Sequence, residues 1–290
     1  MNLRNKSIIV CSIVRDAERG LRKNIPVIRE LCRWFGEYKV VVFENDSKDR
    51  TKQLLTEWMD NDSERVFAFM TDTDGKPTIP TFKESKGNPF FGHKRIDRMA
   101  TLRNQYMDLL WEREWKADYM MVVDLDVAKI DLKGVMTSFD ETIPWDAVTA
   151  FGYSLGPTLK PRYHDTYALT LYGDETPQTE QRIADLRYQL ASISRGKQWL
   201  RVASAFGGLA IYKMEAVKGL RYEVYENADK QVEVTCEHYS IYKQMQERGY
   251  DKFYINPLMR IKYQEVSINL LMRYLKNKRD IFRIGRNNGK

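Results

Sequence analysis

Apolar residues follow two different periods along this chain. Ser7 to Val14 reads SIIVCSIV, Tyr38 to Phe43 reads YKVVVF and Tyr119 to Val123 reads YMMVV. Such continuous apolar runs, without polar alternation, predict strands buried on both faces. Val66 to Met70, Trp145 to Phe151, the LAIY within Arg201 to Tyr212, a stretch around Gln231 to Thr235, and Phe253 to Asn256 add shorter strands. Between them the period becomes helical. Arg15 to Phe35 carries Leu21, Ile25, Ile28, Leu31 and Cys32 at helical spacing, with Pro26 expected in the first turn. Lys48 to Asp60, Arg95 to Trp115, Gln181 to Ser194 and Glu237 to Arg248 also read as helices, Thr71 to Phe91 as loop, and 153–181 as irregular. Strand and helix alternating at this pace predict parallel βαβ units, hence an α/β fold with a mainly parallel sheet flanked by helices. No repeat or linker interrupts it. One domain over 1–260 is expected, followed by a basic helical tail over 261–290.

Composition narrows the chemistry. The formal net charge of +7 suits polyanionic partners, from nucleic acid to anionic lipid to a diphosphate. Three cysteines (Cys11, Cys32, Cys236) without CxxC spacing argue against a disulfide framework or a structural zinc, and three scattered histidines against a histidine cage. The first apolar run is too short for a secretory core, and no stretch reaches the roughly 20 apolar residues of a membrane span. A cytoplasmic location, peripheral at the membrane if the tail binds there, is the expectation.

The most informative element is Val122-Val123-Asp124-Leu125-Asp126, where a buried strand ends in two carboxylates. Ligands of α/β folds bind at that edge. Alternate residues of an extended segment point the same way, so Asp124 and Asp126 can converge on one Mn²⁺ or Mg²⁺. The cation would offset charge on a diphosphate leaving group. On the preceding helix, Arg95, Arg98, Arg103 and Asn104 offer phosphate donors. Arg95 and Arg98 share a face, whereas Arg98 and Arg103 lie about 140° apart.

Glu44-Asn45-Asp46-Ser47-Lys48-Asp49 after the second strand combines a strand-end carboxylate with turn formers, the latter explaining Ser47 and Asp49. Gly207-Gly208 before a strand permits close backbone approach to a ligand. In Cys236-Glu237-His238, a carboxylate at a strand-to-helix junction could engage an acceptor hydroxyl and a neutral imidazole could bind metal, while Cys236 reads as buried and inert.

In this order, ENDSKDRT, RMATLRN, VVDLDV, YHDTYAL at Tyr163 to Leu169, SAFGGLAIY and CEHYSIYKQM resemble a GT-A glycosyltransferase. More narrowly, they resemble the fungal capsule-associated α-1,3-mannosyltransferases and their bacterial and viral relatives. The resemblance spans Ile8 to Pro257. It implies a Rossmann-like nucleotide-sugar-binding half (about 1–130) and an acceptor half (about 131–260). Within them, Asp124 and Asp126 would ligate Mn²⁺, with the third ligand left open and His238 the candidate that the residues themselves offer. Glu44 and Asp46 would sit near the nucleoside, and Arg103 near the phosphates. Gly207, Gly208 and Glu237 would face sugar and acceptor, with Glu237 and Asp126 the catalytic pair.

GDP-mannose is the implied donor, and a glycan or lipid-linked glycan the acceptor. The membrane anchor of the fungal members has no counterpart here, nor does the C-terminal histidine that many GT-A enzymes place on the metal. A nucleotidyltransferase also uses paired carboxylates, but after its first strand it needs a Gly-rich loop, and this chain has Arg15-Asp16-Ala17-Glu18-Arg19-Gly20 there. A nucleic-acid binder lacks any finger, RNP or KH signature, so nucleic acid is not an expected partner. From Arg260 on, basic residues far outnumber Glu265 and Asp280, and Ile268, Leu271, Met272, Leu275 and Phe282 mostly keep helical spacing. That apolar face either packs on the domain or lies on an anionic membrane.

Overall fold

The computed structural model describes residues 3–73, 75, 79–81, 83, 86–139, 143–156, 158–190 and 198–276. The three central runs become β1 (Ser7–Val14), β2 (Glu37–Asn45) and β4 (Tyr119–Val123), with β3 (Val66–Thr71) beside β2. All four are parallel. Next to β4 the sheet changes character: β10 (Leu209–Lys213) inserts antiparallel between β4 and β6 (Ala147–Leu155). Beyond β6 lie β11 (Phe253–Lys262), β9 (Leu200–Ser204) and β8 (Thr170–Leu171). The short β5 (Lys129–Ile130) pairs with β11, and β7 (Pro161–Tyr163) with β6. The fold is therefore a mixed, mainly parallel sheet between helices, as expected.

Burial on both faces follows from the period of two along each strand. Ile9 and Cys11 of β1 and Met120 and Val122 of β4 face one core, which packs under α3 (His93–Glu112) and α7 (Glu237–Glu247). Ile8, Val10, Met121 and Val123 face the other, under α1 (Glu18–Cys32), α2 (Thr51–Asp60) and α4 (Leu132–Met136). Fully apolar strands are what a three-layer arrangement requires. The remaining helices are α5 (Glu180–Gln189) and the short α6 (Met214–Val217). All three cysteines are free and buried.

Several local expectations are corrected. Pro26 sits inside α1 rather than in its first turn. Ala17, Leu21 and Asn24, all upstream of it, are buried, and that docking outweighs the hydrogen bond the proline removes. Around Gln231 to Thr235 no strand forms beyond a single bridge between Glu226 and Val234. There the N–H groups of Gln231 and Val232 turn back to Asp229 Oδ1, both at 2.9 Å. The irregular 153–181 stretch contains β7 and β8. β11, expected to end at Asn256, runs on to Lys262. The last residues of the helix expected at Gln181 to Ser194, and tail residues 277–290, lie outside the described residues.

Candidate active site

β1, β2 and β4 deliver their carboxyl ends to one edge of the sheet. At the end of β4, the Asp124 N–H donates to Gly208 O at 2.9 Å. Ser12 Oγ, from β1, donates to Val123 O at 2.7 Å. The turn carrying Asp126 is then clamped through its main chain. Asn24 Nδ2 donates to the carbonyls of Leu125 (2.9 Å) and Val127 (2.8 Å). One helical turn earlier, Gly20 lies so close that a Cβ there would stand 2.4 Å from Leu125 O.

Asp124 is half-buried and Asp126 exposed, and both line a bowl of about 830 Å³. Arg15, Asp16 and Asn45 rim it on the β1–β2 side, Arg95 and Arg103 come from α3, and Glu237 and His238 from the start of α7. Asp165, Phe206 and Tyr263 complete the wall. The floor is an ionic chain. Arg103, buried, donates from Nε to Glu237 Oε1 at 3.0 Å and holds Nη2 3.8 Å from Asp124 Oδ1. Its guanidinium also lies 5.1 Å from the Phe206 ring centroid.

Burial pushes the Asp124 carboxyl well above the usual range, and the charges of Asp126, Asp165 and Glu237 add to this against Arg103. Glu237 behaves oppositely. Burial would raise it, but the guanidiniums of Arg103 and Arg95, with the Arg103 hydrogen bond, outweigh burial and keep it ionised. His238 lies flat on Phe206, centroids 3.8 Å apart, and burial followed by Arg103 pushes it well below its usual value, so the ring is neutral. Among the described residues, neither of its ring nitrogens has a hydrogen-bond partner.

Some expected site residues are not brought together. Glu44 is buried and accepts the Ser47 N–H at 2.7 Å. Asp46, at φ 57°, accepts the Thr73 N–H at 2.7 Å and the Thr73 hydroxyl. Arg98 approaches Asp46 Oδ2 at 3.8 Å. Asn104 bridges the backbone of Tyr222, donating to its O at 2.9 Å and accepting its N–H at 2.7 Å. These four shape the loops and the helix packing; none lines the bowl, where Asn45 and Asp16 stand instead. His238 shares the bowl, but among the described residues no three His, Cys, Asp or Glu side chains are grouped to hold a metal ion.

Gly207 and Gly208 serve the backbone. At φ 66° and with a Cβ position 2.2 Å from Ala150 O, Gly207 packs the loop onto β6, while its N–H donates to Asp165 Oδ2 at 3.2 Å. Gly207→Ala is expected to cost about 1–3 kcal/mol in thermal or denaturant unfolding, since neither the left-handed backbone nor the carbonyl can yield. The sequence reading missed Asp165. It is half-buried, and burial followed by the Glu237 charge pushes its carboxyl up to about 6. Its only signal was an aspartate among aromatics in YHDTYAL, with no strand end to mark it.

The family described as Cryptococcal mannosyltransferase 1 matches residues 7–243. Among curated proteins none matches the sequence. Among solved structures, the chain is similar to mannosyltransferase PcManGT from Pyrobaculum calidifontis in complex with GDP-Man and Mn²⁺, at 13% identity and TM-score 0.50, over 89% of this chain and 56% of that one. S. aureus TarS 1–349 follows at 11% identity and TM-score 0.44, over 89% and 60%. Glucosyl-3-phosphoglycerate synthase from Mycobacterium tuberculosis, with Mn²⁺, UDP and glucosyl-3-phosphoglycerate, gives 13% and 0.43, over 92% and 75%. The chain thus spans less than two thirds of the first two, and identities this low speak to fold alone.

Proposed function

The chain belongs to the Cryptococcal mannosyltransferase 1 family and carries a glycosyltransferase domain of GT-A fold, and on that premise we propose that it transfers mannose from GDP-mannose to a hydroxyl of a glycan acceptor, assisted by Mn²⁺ or Mg²⁺. One observation carries this reading: Asp124, Asp126, Arg103 and Glu237 converge on a single bowl at the carboxyl edge of the parallel strands. The GDP-Man and Mn²⁺ bound to PcManGT support the choice of donor and metal.

The residues fit a divalent cation. Asp124 is a carboxylate that its surroundings disfavour as an anion, with a second carboxylate two residues on and one guanidinium opposing, and a bound cation would relieve that imbalance. Asp124 and Asp126 would hold it, with the donor diphosphate and water supplying further oxygens. When bound, the ion supplies charge neutralisation to the departing diphosphate.

The other roles belong to the chain's own side chains. Arg95 is braced by donating to Phe90 O at 3.0 Å with its guanidinium 4.1 Å from the Phe90 ring centroid, and its buried Nε lacks a partner; it faces phosphate. Arg103 fixes Glu237 in its ionised form, with Oε2 bonded only weakly, by the Cys236 thiol at 3.3 Å. That oxygen receives a sugar or acceptor hydroxyl. The neutral His238, unpaired at both nitrogens, offers a hydroxyl partner on the Phe206 platform.

Thermal-shift measurements with GDP-mannose, UDP-glucose and UDP-N-acetylglucosamine test the donor reading. The melting point rises with GDP-mannose, and more so with Mn²⁺ present. A response to a uridine donor instead would sink the assignment to GDP-mannose. Glu237→Gln should lower kcat at least about a hundredfold with little change in donor affinity, because the hydroxyl is engaged on the way to the transition state. Weakened donor binding at normal turnover would make Glu237 a ground-state contact.

A further inference from the structure

β11 ends at Lys262, and the next two residues, Tyr263 and Gln264, line the bowl. The chain then forms a helix over residues 268–276, begun by Ser267, whose hydroxyl accepts the Leu270 N–H at 3.1 Å. Leu270 and Tyr274 fall on one side of it and are half-buried, and Leu270 lines a cleft shared with Leu155 and Arg162. Ile268, Leu271, Met272 and Leu275 recur at i, i+3, i+4 and i+7 on the roughly opposite side. They are 80%, 43%, 62% and 53% exposed. The helix is seated by one face, and among the described residues its apolar stripe is left exposed.

The charge of this segment is one-sided. From Val266 to Lys290 there are seven basic residues against one acidic, Asp280, so six of the chain's seven excess positive charges fall there. Within the helix, Arg273 and Lys276 lie beside the stripe and no acidic residue occurs. A second copy is a poor occupant for this face, because pairing would set two strongly basic segments against each other. A surface that is apolar below and anionic above meets both demands: the stripe enters the headgroup boundary while the basic side chains reach phosphates.

We propose that the 268–276 helix docks the protein on an anionic membrane surface. The junction sets the orientation. Only Glu265, Val266 and Ser267 separate the bowl-lining Gln264 from the helix, so docking brings the rim of the bowl to the lipid headgroups. An acceptor held there by a lipid tail would present its sugar to the Glu237 side of the bowl. That acceptor class rests on the transferase reading; the docking itself does not.

Co-sedimentation of the full chain with vesicles tests it. Binding is expected to vesicles containing phosphatidylserine and not to phosphatidylcholine alone, and to weaken as salt rises. The exposed double change Leu271→Glu with Met272→Glu should lower binding about tenfold or more, leaving the donor-induced thermal shift intact. Absence of binding at low salt overturns the proposal, as does equal binding to neutral vesicles or binding indifferent to the double change. A dimer formed without vesicles and abolished by the double change would also overturn it, marking the face as a self-association surface. Intact vesicle binding without any donor response would instead indict the transferase reading.

Discussion

Asp124→Asn is expected to lower sugar transfer about a thousandfold while the protein melts no earlier than wild type. The two halves of that result share one cause. In the folded chain the Asp124 carboxyl is held well above its ordinary range by burial and by three neighbouring carboxylates, with Arg103 alone opposing. A carboxyl whose folded value is raised costs stability as pH climbs from its unfolded value through its folded one, because the unfolded chain releases the proton first. At neutral pH the carboxyl is therefore a burden in the absence of a cation. Asparagine keeps the shape and removes the burden, and with it the charge that would hold metal and diphosphate. Melting curves at pH 5 and 7 without ligand read the first half: the wild type gains on acidification a contribution that the variant lacks. Turnover and the Mn²⁺-dependent thermal shift read the second. A variant that keeps its metal response would remove Asp124 from the site.

The largest stability effect should come from Arg103→Ala, at about 3–5 kcal/mol. Arg103 and Glu237 are both buried and joined at 3.0 Å, and the guanidinium also faces Asp124 at 3.8 Å. Truncation strands one buried carboxylate and leaves another without its opposing charge. The double variant Arg103→Met with Glu237→Gln removes the pair together and should recover most of the loss, yet stay inactive, since a buried pair replaced by neutral groups of similar volume costs little. Urea unfolding of the single and double variants decides the matter. A single variant within about 1 kcal/mol of wild type would mean the pair contributes no more than an exposed one.

The parallel half of the fold was legible because its strands are apolar on both faces, a pattern that arises when helices cover a sheet from both sides. The antiparallel half was harder. Thr170 and Leu171 pair with β9 over two residues, too few to leave a period, and Val232 and Val234 are buried without belonging to a strand. Within the candidate site, Asp124, Asp126 and Glu237 were visible because each stands where a strand ends or a helix begins. Glu44 and Asp46 carry the same local signal but turn their polar atoms to nearby backbone, a choice made by distances the sequence does not encode. Arg103, expected near phosphate, also grips a residue 134 positions away, a contact that no local pattern announces.

The grip of α1 on the turn after β4 has a bearing on how such a site can diversify. Asn24 donates to the carbonyls of Leu125 and Val127, and Gly20 lies against the main chain of Leu125 and Asp126. The loop's path is thus written in the main chain, and the side chains at 124 and 126 are attached to it as separate parts. A lineage, or an engineer, can exchange the side chain at either position without redesigning the scaffold. Gly20 and Asn24, which take no part in the chemistry, are the positions that leave no such latitude.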